Sequence, residues 1–437
     1  MPPTENPPET SDRVQSSLLL MILVALALRL VVVAFLYPDQ LNPRRDHWPF
    51  GYETGRIARA IAQGEGFANP LFEKTGPTAW MTPVYPYLVA GVFKLSGIYT
   101  KSSAIILLSL NSLFSALTCV PIFFMARDSF GQRTAIWAGW VWALFPYAIY
   151  LSADWIWETC LTTFLLSWLF YFALRLESSS RVWPWAGYGL LWGLTALSDP
   201  AVLTLLPLLL GWICLRSHRR GQRWGGLATA AVLAFGIVVT PWFVRNYRTF
   251  HQFVPFRDAF WLVMHVGNNG DTSHWAPDAA HPSTSASEEQ QYNSLGELSY
   301  MKEKKREAIQ FITNHPGSFT WLTIRRFVFT WTGFWSFSRE YLEMEPLDPP
   351  NILMNLTLTL CALAGLRWAF RNGNHVAVPY VFVLIAFPMI YYISIPQMPY
   401  RHRIDPEIVV LASYGAMGVV QAWKNKLSRV SEAAPQA

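Results

Sequence analysis

Charge is scarce in this chain. Asp, Glu, Lys and Arg supply only 14% of its 437 residues, against 52% hydrophobic residues. That is about half the charged share of an ordinary soluble domain and excludes a fully water-exposed surface. The net excess of +6 is carried by short loops, which argues against a nucleic-acid partner. Cysteine is equally sparse. Cys119, Cys160, Cys214 and Cys361 lie singly inside apolar runs, a pattern that excludes a disulfide framework and a cysteine metal knuckle. Also absent are a Gly-rich phosphate loop, a GxGxxG turn, an Asp-x-Asp pair, an HExxH helix and a Ser/His/Asp set, so a soluble nucleotide donor has no visible site. No fixed-period repeat is present.

What the chain has in abundance is apolar runs of about twenty residues, the length that crosses a bilayer. They predict ten transmembrane helices, at 17–37, 102–126, 134–152, 155–175, 184–198, 201–216, 225–243, 351–369, 376–396 and 404–423. Trp (21) and Tyr (18) are frequent at the ends of these runs, where amphipathic rings favour the headgroup region. The expected class is an all-α polytopic membrane protein of about ten transmembrane helices, with interfacial helices in two long outer segments, 38–100 and 244–350. A single transmembrane unit, 17–424, is flanked by a Pro-, Glu- and Ser-rich tail, 1–16, expected to be disordered and cytoplasmic, and by a cytoplasmic tail, 425–437. The stretch 317–337 carries Arg325 and Arg326 at its centre, each costing roughly 2.5–3.5 kcal/mol inside a bilayer, and reads as interfacial. Residues 271–300, rich in Ser, Thr, Glu and Asn, read as a flexible loop. Arg127, Arg133, Arg175, Arg181, Arg216, Arg219, Arg220, Arg223, Arg367, Arg371, Lys424, Lys426 and Arg429 then share one side, which the positive-inside rule makes the cytoplasm.

The opposite side holds the unusual chemistry. In "GYETGRIARAIAQGEGF", helical spacing puts Tyr52, Ile57 and Ile61 on an apolar stripe with Glu53, Arg56 and Arg59 beside it. Glu53 is either a solvated acid, a partner of Arg56, or a functional carboxylate. In "SADWIWETC", Asp154 and Glu158 stand four apart and would share a helix face, where like charges repel. A cation or a hydroxyl-rich ligand between them would relieve that, as would simple exposure to water. Asp199, before Pro200, is explained by helix capping. Arg245 and Arg248 in "TPWFVRNYRTF", and Arg401, His402 and Arg403 in "YRHRIDP", place cations on the outer side against the general trend. A planar guanidinium fork suits phosphate oxygens, though pairing with Asp405 and Glu407 would also account for the second group. His251, His265 and His274 read as ordinary polar residues.

Together with "PVYPYLVAGVFKLSG", "TPWFVRNYRTFHQFVPFRDAFWLVMHVGNNGD" and "PYRHRIDPEIVVLASYGA", the first outer motif resembles the bacterial membrane glycosyltransferases of the GT-C fold, relatives of protein O-mannosyltransferases and of the lipid A aminoarabinose transferase, over residues 17–423. The resemblance implies an enzyme of the bacterial inner membrane. It would move a sugar from a polyprenyl-phosphate donor to a lipid, glycan or protein acceptor on the periplasmic side, with inversion. It makes Glu53 the catalytic acid or base. The family pattern has an Asp or Asp-Glu pair followed by Tyr, whereas here Tyr52 precedes a lone Glu, so Asp46 stays a rival. By the same likeness Arg245, Arg401 and Arg403 would meet the donor phosphate, and Asp154 and Glu158, with Glu53, would hold sugar hydroxyls or a divalent cation, Mg or Mn. The alternative is a transporter or flippase of a lipid-linked or small polar solute. Transporters place ionisable residues near the midplane, and here Arg29 is the main such residue and is expected to snorkel outward. A non-catalytic scaffold would leave the outer charges without a task.

Overall fold

The computed structural model describes residues 9–433 except 42–49, 271, 273–279, 336, 338, 340, 341 and 343–347. All ten predicted spans are helical over most of their length. In chain order the helices are α1 Glu9–Leu36, α2 Glu53–Ala62, α3 Val84–Ser96, α4 Lys101–Leu117, α5 Cys119–Phe130, α6 Gln132–Leu144, α7 Pro146–Asp154, α8 Thr159–Leu176, α9 Val182–Ser198, α10 Leu206–Arg219, α11 Gly225–Phe250, α12 Phe260–Gly267, α13 Ala286–Leu295, α14 Glu297–Asn314 and α15 Pro316–Thr332. The last five are α16 Asp348–Arg371, α17 Val378–Ala386, α18 Met389–Ile393, α19 Met398–His402 and α20 Asp405–Ala433. Among the described residues six helices are long and apolar enough to cross a membrane, or seven if the pair α6–α7, bent by 44°, counts as one. The predicted spans at 184–198 and 201–216 are α9 and α10, of 17 and 14 residues. The chain is a multi-pass membrane protein.

Local chemistry explains the breaks. Thr100 and Ser103 form a reciprocal capping box that starts α4. Pro146 has no N–H to continue α6, so the chain bends there and leaves the last α6 carbonyls short of donors. Arg29 supplies them. Its Nη1 donates to the Ala143 carbonyl at 3.1 Å and its Nη2 to that of Trp142 at 3.4 Å, while Nε donates to Ser115 Oγ at 2.9 Å. Arg29 is therefore fully buried and does not snorkel outward, because the Ser115 hydroxyl and the carbonyls of Ala25, Ala143 and Trp142 satisfy it inside the bundle.

The core is dominated by Trp142, Trp185, Trp192 and Phe123. Close helix contacts form where side chains vanish. A Cβ on Gly415 would collide with the Cys361 carbonyl, and one on Gly365 with that of Leu411, so α16 and α20 touch backbone to backbone. On the side that carries the short, Arg-rich loops predicted to be cytoplasmic, Asp128 pairs with Arg175 at 3.2 Å, and Glu177 with Arg216 and Arg220 at 2.6 and 2.7 Å. These pairs bring the α5–α6, α8–α9 and α10–α11 connections together, consistent with their shared sidedness.

The second outer segment is more ordered than its composition suggests. Residues 286–300, expected in a flexible loop, fall in α13 and the start of α14. The reason is aromatic: Tyr292 and Tyr300 are buried, with ring centroids 5.3 Å apart, and Tyr292 packs 5.8 Å from Trp80. In α15, Arg326 is buried and donates to Asn268 Oδ1 at 3.1 Å and to the Gly267 carbonyl, so it caps the end of α12. α15, of 17 residues, is not among the helices long and apolar enough to span.

Candidate functional site

One part of the candidate site forms at the start of α2. Gly51 and Tyr52 both have positive φ, 76° and 41°, and this strained turn sets Glu53 at the helix N-terminus. Backbone N–H groups there favour an anion. Ser283 Oγ, from a turn far along the chain, donates to Glu53 Oε1 at 2.6 Å. His281 Nε2 lies 3.8 Å from the same oxygen. The Ser283 N–H donates to His281 Nδ1 at 3.1 Å, which leaves the imidazole hydrogen on Nε2, facing the carboxylate. Arg56 is buried under Phe72, 4.0 Å from its ring centroid, and reaches Ser283 Oγ at 3.4 Å. Asp46 lies outside the described residues.

The second part lies at the junction of α19 and α20. Arg401, His402 and Arg403 are all buried there, each with a different partner. Arg403 Nη2 donates to Glu158 Oε1 at 2.7 Å, and its Nε is 2.6 Å from Asp199 Oδ2 as an ion pair without hydrogen-bond alignment. Arg401 Nε is 3.1 Å from Asp405 Oδ1, and His402 Nδ1 is 2.9 Å from Asp405 Oδ2 with its ring stacked on Trp142. The expected pairing with Asp405 thus holds for Arg401, but Arg403 turns to Glu158 and Asp199 instead. Glu407 is buried without a hydrogen-bond partner among the described residues. Asp199 does cap, its Oδ1 accepting from Ala201 N at 3.0 Å, while its other oxygen faces Arg403.

The predicted Asp154–Glu158 face does not exist. α7 ends at Asp154 and α8 begins at Thr159, with a non-helical link between them, so the two carboxylates do not stand on one helix face. Asn111 Nδ2, donating to the Trp155 carbonyl at 2.8 Å, stabilises the break. Among the described residues no three His, Cys, Asp or Glu side chains form a group able to hold a metal, so Glu53, Asp154 and Glu158 do not fit a shared cation. Arg245 is also differently employed. Its Nη atoms donate to the Thr78 and Phe67 carbonyls, each at 2.7 Å, clamping the 67–78 excursion onto α11. A guanidinium so committed has little left for a phosphate.

The residue that pattern reading missed is Arg257. It is half-buried, and no hydrogen bond or ion pair is formed by it among the described residues. It lies within electrostatic reach of Tyr391 and Tyr400, as Arg403 does. The signal was a charged pair, Arg257–Asp258, interrupting the apolar run "FVPFRDAFWLV". Asp258 N donates to the Ala79 carbonyl at 3.1 Å, so Arg257 borders the segment 78–82. That segment also meets the Glu53 side, where Thr54 Oγ1 donates to Met81 Sδ at 3.1 Å and Trp80 packs on His281. It meets the Arg403 side too, through Thr82 Oγ1 donating to the Ser198 carbonyl at 2.8 Å. Beneath it, burial raises the Asp258 carboxyl well above its ordinary range, and the neighbouring Glu297 charge adds to the shift. Burial raises Glu297 as well, against donors from Ala79 N, Thr78 and Tyr292.

Residues 80–244 match the family described as Dolichyl-phosphate-mannose-protein mannosyltransferase. The match covers Glu158 and Asp199 but neither Glu53 nor residues 401–403. No curated protein matches the chain by sequence. Among solved structures, the archaeal oligosaccharyltransferase AglB from Archaeoglobus fulgidus, in complex with an inhibitory peptide and a dolichol-phosphate, is 15% identical with a TM-score of 0.53, covering 98% of this chain and 52% of that one. The Archaeoglobus fulgidus oligosaccharyltransferase in complex with Zn and sulfate is 14% identical with a TM-score of 0.53, covering 93% and 49%. ArnT from Cupriavidus metallidurans bound to undecaprenyl phosphate is 14% identical with a TM-score of 0.49, covering 96% and 66%. The chain spans about half the length of the oligosaccharyltransferase it matches. Its fold is that of the GT-C membrane glycosyltransferases, as the outer-segment motifs lead one to expect.

Proposed function

We propose that the protein is a glycosyltransferase of a bacterial inner membrane that takes a sugar from a polyprenyl-phosphate donor on the periplasmic face and passes it to the hydroxyl of a lipid, glycan or protein acceptor. The observation that carries this reading is a division of labour around segment 78–82. On one side Glu53 already receives a hydroxyl hydrogen bond, and on another Arg257 presents a guanidinium with no hydrogen-bond or ion-pair partner among the described residues. Glu53 takes the acceptor O–H proton as the acceptor oxygen attacks the anomeric carbon from the face opposite the leaving group. The bond from that carbon to the phosphate oxygen breaks, and its electron pair leaves on the polyprenyl phosphate. Arg257 meets the charge growing there, and fixed positive charge aimed at a leaving group is commonly among the largest catalytic contributions. Arg403, neutralised by Glu158 and Asp199, holds the floor of the site without touching the donor. Residues of the described chain do not assemble a metal site, and no step above uses one.

The family match at residues 80–244 supports this reading, as does the fold. Transport of the lipid-linked sugar is the rival. Purified protein in vesicles, supplied with polyprenyl-phosphate-linked sugars and a mixture of membrane glycans and lipids, is expected to release polyprenyl phosphate in step with new glycosidic product. Movement of intact donor across the bilayer with no product would refute the transferase reading.

A further inference from the structure

A hydroxyl already stands where the acceptor hydroxyl must go. Ser283 is 4% exposed, and its Oγ lies 2.6 Å from Glu53 Oε1 with its proton directed at the carboxylate. That is the donor–acceptor distance a general base needs to the proton it abstracts. The turn that carries it is closed on itself: Thr284 N and Ser285 N both donate to the His281 carbonyl, at 3.1 and 2.9 Å, and Ser283 N donates to the His281 ring. Arg56 Nη1 reaches Ser283 Oγ only at 3.4 Å, and His281 Nε2 stays 3.8 Å from Glu53. The next helix, α13, is joined to the 72–73 region by exposed contacts, Phe72 N to Glu289 Oε1 at 3.2 Å and Asn293 Nδ2 to Glu73 Oε2 at 2.9 Å.

We infer that the turn 281–285 is a gate on the acceptor subsite, in which the Ser283 hydroxyl stands in for the acceptor hydroxyl on Glu53 and is displaced when an acceptor binds. The inference rests on Glu53 being the base. Its physical consequence is protection of the donor. With Ser283 on Oε1, a water molecule cannot take the same place, so the activated sugar is not lost to hydrolysis while no acceptor is present. An acceptor hydroxyl with further contacts to the outer segments outcompetes a single serine, whereas water does not. His281 and Ser283 thereby select for acceptors that bring binding energy of their own.

The test needs no knowledge of the acceptor. Full-length protein in vesicles with a polyprenyl-phosphate-linked sugar and no acceptor is assayed for free sugar, with water as the probe nucleophile. Ser283→Ala is expected to raise this hydrolysis about 10- to 100-fold, the weight of one hydrogen bond to a charged group, while Ser283→Thr keeps it low. A second readout is independent of the donor: labelling of Glu53 by a water-soluble carbodiimide and an amine, followed by mass spectrometry, is expected to rise in Ser283→Ala. Unchanged or lower hydrolysis together with unchanged labelling, in a variant that melts like the parent, overturns the gate. Glu53→Gln run in parallel separates the two ideas, since full hydrolysis and transfer by that variant refute Glu53 as the base whatever Ser283 does.

Discussion

The cluster around Arg403 and the cluster around Glu53 use the same kinds of residue and end differently. At Arg403, one guanidinium sits between two carboxylates and all three are nearly inaccessible, so each charge is consumed by its neighbours. At Glu53, the carboxylate holds one hydroxyl and keeps 13% of its side chain exposed. Arg245 and Arg257 repeat the contrast twelve residues apart, the first spent on two backbone carbonyls, the second without a hydrogen-bond or ion-pair partner among the described residues. A charge whose partners are all internal holds the fold, and one that keeps hydrogen-bonding capacity is able to meet a ligand.

The strongest way to break that contrast is at Glu53. Glu53→Gln is expected to lower turnover about 10²- to 10⁴-fold, the usual weight of a positioned general base, with little change in melting temperature. A variant that loses its fold along with its activity would put Glu53 in the structural class. The converse holds for Arg403. Arg403→Ala strands Glu158 and Asp199 as buried, unpaired charges, and breaking such a group costs about 3–5 kcal/mol. Thermal unfolding in detergent is expected to show that loss. Normal stability with weakened donor use would restore Arg403 to phosphate binding.

Arg257→Ala is expected to raise the donor concentration needed for half-maximal rate by roughly 10- to 100-fold, and Arg257→Lys to recover only part of it, because an ammonium keeps the charge but not the fork. Donor titration at fixed acceptor checks this, and an unchanged donor dependence would leave Arg257 an ordinary surface cation. The smallest effect concerns the support beneath the site. Asp258 binds its proton more tightly in the folded chain than its ordinary value of 3.8 implies, because of burial first and the Glu297 charge second. The folded state therefore holds a proton that the unfolded chain releases. This contribution to stability is complete below that ordinary value and is lost as pH rises through the raised folded value, by at most about 1.4 kcal/mol per pH unit. Asp258→Asn is expected to flatten that slope in unfolding curves taken across pH, and an identical slope in the variant would mean that Asp258 does not hold the extra proton.

Much of the fold was legible in the linear pattern. Apolar runs of bilayer length can satisfy their backbone only as helices, and every run so identified is helical. Glu53 stood out as an acid beside an apolar helical stripe, and Asp199 as a cap before Pro200, since both depend on neighbours a few residues away. Other features escaped for the same reason. The break between Asp154 and Thr159 depends on Asn111 from another helix, and the burial of Arg29 depends on a bend made more than a hundred residues later at Pro146. The helices at 286–300 depend on Trp80, which no polar composition betrays.

The pairing of charges was beyond the pattern altogether. Glu158 and Arg403 are 245 residues apart, and Glu53 and Ser283 are 230 apart. Periodicity reports which face of a helix is apolar, a local property of side-chain spacing. Which carboxylate an arginine meets is settled only when packed helices exclude water and leave each buried charge the nearest opposite charge or polar group in space. Local spacing dictated where this chain would be helical and which residues had the chemistry to act. Packing decided that Arg245 would meet two backbone carbonyls, Arg401 would meet Asp405 and Arg403 would meet Glu158 and Asp199, and that Glu53 would meet the Ser283 hydroxyl.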